Sequence, residues 1–120
     1  MSSFCYSFKG VNICVPTTIL VHVITGNGKK ITNQEAEVQD VLGGGTAGGR
    51  FCNWRIDWKY CDTNGTNYLT STGSTHTTCD TFNVGRGSSA DRTLASYGRA
   101  CAVFYVNGTQ RGKQCHNITS

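Results

Sequence analysis

Three side chains in this sequence could exchange protons near neutral pH: His22, His76 and His116. Joined by Glu35 or Glu37 and an arginine, they would supply a ribonuclease-type site. A histidine or glutamate would take the 2′-hydroxyl proton, a second histidine would protonate the leaving oxygen, and arginine would steady the phosphorane charge. Each residue also has a plainer reading. His22 lies inside the apolar run TILVHVIT, where a packed or edge histidine is expected, and Glu35 and Glu37 alternate with Ala36 and Val38 as a solvated face does.

Zinc ligation would draw on His76, Cys79, Cys61 and the adjacent pair Cys115 and His116. A structural zinc needs about four such ligands in a tetrahedron. The sequence contains no Cys-x-x-Cys, and disulfides account for Cys79 and Cys115, so neither a metal nor a cofactor is expected. Neighbouring residues of a strand point to opposite faces, so Cys115 and His116 do not read as a nucleophile and its base. Residues 43–48 satisfy G-x-G-x-x-G in letters only, because a strand follows where a phosphate-binding helix should begin.

Cysteine is the most informative residue type. Seven in 120 residues imply a disulfide framework and a secreted, extracellular setting. FCYSF and VNICV flank Lys9 and Gly10; a two-residue turn there sets Cys5 opposite Cys14 at a site where Cα atoms lie about 4.5 Å apart. Short loops close most easily, which pairs Cys61 with Cys79 and Cys101 with Cys115 and leaves Cys52 as a buried, inert thiol. Cys52 and Cys61 cannot bond each other, since the strand between them spans about 30 Å.

Three N-x-[ST] sequons, at Asn64, Asn107 and Asn117, are glycosylation candidates. Asn64-Gly65 and Asn107-Gly108 also read as turn dipeptides.

The elements that must carry these residues are mostly strands. The segment FCNWRIDWKYC, residues 51–61, alternates strictly: Cys52, Trp54, Ile56, Trp58 and Tyr60 share one face, and Asn53, Arg55, Asp57 and Lys59 the other. The tryptophan face reads as core and the charged face as solvated. RACAVFYV, Asn107-Gly108 and the residues to His116 form a hairpin, in which a bulge near Gly112 would align Cys101 with Cys115. Residues 33–42 admit either a short helix, opened by the capping box Thr32 to Glu35, or a strand in which Ala36 and Val38 alternate with charges. GGGTAGG, residues 43–49, reads as a loop. The fold class expected is one all-β domain over 1–120, a disulfide-stabilised antiparallel β-sandwich or small barrel, with at most one short helix.

Bulk properties narrow the functions. The net charge is +4, and the eleven basic residues are scattered, Lys29 and Lys30 being the only adjacent pair; this argues against nucleic acid as a partner. The longest apolar stretch, 13–24, is too short for a membrane helix, and the first residues do not read as a signal peptide. The leading expectation is a non-catalytic secreted binding module that meets a protein or carbohydrate ligand through its surface. A small basic ribonuclease-type hydrolase and a lectin-like domain are the rivals. The last requires an exposed Tyr or Trp beside Asn and Asp.

Overall fold

The computed structural model describes residues 1–40, 46–82, 84–88 and 92–119, with the backbone only for 40, 46–49, 81 and 82. Among them the chain forms eleven strands and no helix: β1 (Phe4–Phe8), β2 (Val11–Val15), β3 (Thr18–Asn27), β4 (Lys30–Asp40), β5 (Thr46–Cys61), β6 (Asn67–Ser71), β7 (His76–Phe82), β8 (Gly85–Ser88), β9 (Arg92–Thr93), β10 (Gly98–Val106) and β11 (Thr109–Ile118). All pairings are antiparallel. A five-stranded sheet runs β11-β10-β5-β6, with β7 on β5 beside β6; a four-stranded sheet runs β3-β4-β8, with β9 on β4; β1 and β2 form a separate hairpin. Three disulfides brace this β-sandwich.

The inner face of the larger sheet is built by alternation. Trp54, Ile56, Trp58 and Tyr60 of β5 lie beside Val106, Phe104, Ala102 and Ala100 of β10, all buried. Against them the smaller sheet sets Leu20, Ile31, Ala36 and Val38, joined by Val84 just before β8. Burying side chains of this size contributes about 1.5–3 kcal/mol each, and supplies most of the drive to close the sandwich.

Residues 33–40 are strand. A helix would put Ala36 and Val38 on opposite sides, whereas β4 buries both together with Gln34 and directs Glu35 and Glu37 away. The capping residue is otherwise engaged: Thr32 Oγ1 donates to the Thr25 carbonyl at 3.1 Å across the β3–β4 hairpin. Val41, Leu42 and Gly43 to Gly45 lie outside the described residues. The rest of the glycine-rich segment, 46–49, is not loop but the first part of β5, which pairs with β7 at Thr46 and again from Phe51.

The cysteine pairing corrects one expectation and keeps two. Cys5–Cys14 and Cys101–Cys115 are bonded, but Cys79 bonds Cys52, and Cys61 is free. Loop length misleads because two short strands share one long one. Asp62 Oδ1 accepts from the backbone N–H groups of Asn64 and Thr66, at 2.9 and 3.0 Å, and so turns β6 back along the Cys61 end of β5. β7 then takes the other end, where Cys52 is opposite Cys79.

A bulge makes this possible. Asn53 adopts φ 53°, and the β5–β7 register slips between Cys52 and Trp54. Phe51 is opposite Asp80 and Trp54 opposite His76, so Phe51 shares the tryptophan face while Cys52 turns to the other side. The strict alternation expected from the sequence therefore ends at Trp54. The slip is held by side chains: Tyr6 donates its hydroxyl to the Arg50 carbonyl at 2.7 Å and accepts the Cys52 N–H at 2.8 Å, and Asn53 Nδ2 donates to Asn107 Oδ1 at 3.0 Å. A second bulge, at Arg111 in β11, brings Cys101 opposite Cys115, one residue from where the spacing put it.

Candidate functional site: two grooves and a basic sheet face

The histidines do not converge as three. His76 lies flat on Trp54, ring centroids 4.0 Å apart at 6°, while Trp54 Nε1 donates to Asp80 at 2.8 Å. His22 and His116 are the pair that meets, their centroids 4.9 Å apart where the edge strands β3 and β11 approach. His116 donates from Nε2 to the His22 carbonyl at 2.5 Å. An open groove of about 450 Å³ runs past them, lined also by Ile24, Lys30 and Asn117.

His22 is poorly equipped for proton transfer. It is 5% exposed and stacks on Trp58 at 5.7 Å. The Tyr60 hydroxyl donates to Gln34 Oε1 at 2.8 Å, and the Gln34 amide nitrogen donates to His22 Nε2 at 2.9 Å. That chain occupies the basic nitrogen and leaves the proton on Nδ1, which is buried without a partner. Burial first, and then the neighbouring His116, lower its pKa to about 4, against an opposing backbone group at Gln114. The ring is neutral at pH 7, and neither nitrogen is presented to solvent.

The carboxylates of the hydrolase reading are elsewhere. Glu35 is opposite Val23 and Glu37 opposite Val21, both on the outer face, whereas His22 points inward with Ala36. Sheet backbone separates them. Arginines near the core have structural partners: Arg86 donates to the carbonyls of Ile56 and Ser71, at 3.1 and 2.8 Å, and covers Trp58 at 4.6 Å. Burial lowers its pKa, yet it remains a cation at neutral pH. Among the described residues no three His, Cys, Asp or Glu side chains gather around a metal position, and Cys79 and Cys115 are committed to disulfides.

A larger groove, about 770 Å³, opens at the end of the five-stranded sheet. Cys61, Asp62, Asn64, Tyr97, Arg99, Lys113 and Asn117 line it. Tyr97 is 37% exposed, with Lys29 Nζ 5.1 Å from its ring centroid. Two of the sequon asparagines, Asn64 and Asn117, are exposed on this groove. Asn107 is different: at φ 51° it forms the β10–β11 turn, and its side chain bridges Asn53 and the Ser7 carbonyl.

The groove continues onto the sheet's outer face. Cys101 is opposite Lys59 and Cys115, Val103 opposite Asp57 and Lys113, Tyr105 opposite Arg55, and Arg99 opposite Cys61 and Asn117. These positions alternate with the buried Ala100, Ala102 and Phe104, so Arg55, Lys59, Arg99 and Lys113 share one face. Asp57 among them is buried, bound by Arg55 Nε at 3.1 Å and by the Gly73 N–H at 3.1 Å. Lys59 donates to the Tyr105 hydroxyl at 2.7 Å, and Arg55 sits 4.1 Å over the Tyr105 ring. Among the described residues Arg99 and Lys113 are exposed and make no hydrogen bond or ion pair.

This basic face and Tyr97 are what sequence reasoning missed. Part of the signal was present: once Cys101 faces Cys115, Arg99 and Lys113 each stand two residues from a bridge cysteine and must share its side. The register of β10 on β5, which adds Arg55 and Lys59, has no local signature.

Comparison with protein-family models, with curated proteins and with solved structures finds no match.

Proposed function

We propose that this chain is a non-catalytic, secreted binding module whose ligand is a carbohydrate, taken up in the groove beside Tyr97. One observation carries the reading: an exposed aromatic ring bordered in a single groove by Asp62, Asn64, Arg99 and Asn117. An aromatic body offers a sugar ring a flat apolar surface, while amide, carboxylate and guanidinium groups sort its hydroxyls. The disulfides favour an oxidising compartment, in which surface glycans are abundant.

A glycan array probed with the purified protein tests this. Binding to a defined saccharide group that Tyr97→Ala abolishes would support it. Silence across the array, or binding indifferent to Tyr97→Ala, would overturn it.

The approach of His22 and His116 beside the smaller groove favours a hydrolase as the second reading. Against it stand the occupied Nε2 of His22, its lowered pKa and the carboxylates beyond the sheet. RNA cleavage by the purified protein, lost in His116→Ala, would restore that reading.

A further inference from the structure

We infer that the ligand is an acidic polysaccharide, a linear chain bearing carboxylates or sulfates, which leaves the Tyr97 groove and lies across the outer face of β5, β10 and β11. The inference rests on the binding-module reading and specifies its ligand. Arg99 and Lys113 line the groove and are free to pair, while Lys59 extends the charge along β5 and Arg55 is balanced by Asp57. Asp57 is held by Arg55 and Gly73, and Asp62 keeps its charge while accepting two turn amides, so the four cations exceed the two carboxylates by two charges. The field over the face is therefore positive and directed at solvent.

The opposite side of the molecule has the reverse character. Glu35 and Glu37 stand there beside the exposed Ile19 and Val23. A polyanion is repelled from that side, so charge alone selects one face.

Spacing favours a polysaccharide over nucleic acid. The strand register sets neighbouring cations about 8–14 Å apart at Cα, and Arg55 about 20 Å from Arg99, whereas each strand of duplex DNA offers a phosphate about every 3.4 Å of helix axis. A polymer with one anionic group per sugar or two matches the sparser set. Nor is there a ladder of free rings for bases: Tyr105, the aromatic residue on this face, is already covered by Arg55 and Lys59.

Retention of the intact protein on immobilised polygalacturonate and on immobilised heparin at low salt tests the inference, with dextran and poly(U) columns alongside. The two anionic arms separate carboxylate from sulfate. The expected result is retention on at least one of them, a drop of about ten-fold or more in affinity for Arg99→Glu/Lys113→Glu, and a logarithmic salt slope smaller by about two. Lys9→Glu/Arg50→Glu, an equal change in net charge at the other end of the molecule, should leave retention almost unchanged. Equal losses in both double variants would reduce the effect to net charge and overturn the inference. Stronger retention on poly(U) would overturn it in favour of nucleic acid, and absence of retention on either anionic column would overturn it outright. Retention on dextran alone would reject the anionic ligand and leave the carbohydrate module standing. Shortening of the polysaccharide during incubation would reject the non-catalytic reading itself.

Discussion

The side-chain nitrogen of Gln34 lies 2.9 Å from Nε2 of His22, so two strands of the smaller sheet hold one imidazole neutral beneath Trp58. Protonation would place two donors nose to nose and charge a ring that is 5% exposed. The pKa falls from 6.5 unfolded to about 4 folded. A depressed folded pKa means that the unfolded chain takes up protons first. The stabilisation is therefore complete above pH 6.5 and is lost as pH falls toward 4, by up to about 3 kcal/mol. Urea midpoints at pH 7.5 and 4.5 should differ accordingly, and His22→Leu should flatten the difference. An unchanged pH profile in that variant would show that the loss comes from other groups.

Cys52 and Cys79 close a loop of sequence separation 27, and Cys61 remains reduced. Thiol titration of the denatured, unreduced protein should find one thiol, absent in Cys61→Ser. Removing the bridge in Cys52→Ala/Cys79→Ala should cost about 3–4 kcal/mol by chemical denaturation. Two bridged fragments linking Cys61 with Cys79 in a peptide map would contradict the pairing.

Tyr6 serves both backbone groups exposed by the β5 bulge. Tyr6→Phe keeps the ring and leaves the Cys52 N–H buried without an acceptor, at a cost of about 1–3 kcal/mol. The readout is the denaturation midpoint; a loss under about 0.5 kcal/mol would mean that the bulge is held by its other contacts.

Gly98 opens β10 at φ 143°, and a Cβ there would meet the Cys61 carbonyl oxygen at 2.0 Å. Gly98→Ala should destabilise the protein by well over the about 0.5 kcal/mol of an ordinary surface substitution, and should weaken binding in the groove that Gly98 lines. Unaltered melting and binding would show that the strand start shifts freely.

Much of the architecture was legible in the residues. Lys9-Gly10 and Asn107-Gly108 fix the turns; the first sets Cys5 opposite Cys14, and the second sets Cys101 opposite Cys115 once the bulge at Arg111 is added. Trp54 to Tyr60 announce a half-buried strand because period two is visible within one segment. What stayed hidden depends on partners distant in sequence. Nothing in the residues around Cys61 and Cys79 says that β5 is shared by β6 and β7, and the reversal at Asn53 shows only as a positive φ. The site was concealed in the same way: Arg55 and Lys59 look like ordinary surface until β10 and β11 bring Arg99 and Lys113 to their side. Tyr97 carries no periodic signal, because it lies between β9 and β10.

The sharing of β5 between β6 and β7, with β10 along its other edge, also orders the molecule in time. At Trp54 and from Trp58 to Cys61 its backbone has strand neighbours on both sides, while β3 and β11 are bonded along one side. Deuterium should enter the amides of β3 and β11 early, and those of Trp58 to Tyr60 only when the whole sandwich opens. The outer strands can breathe on the rigid midline of a single strand.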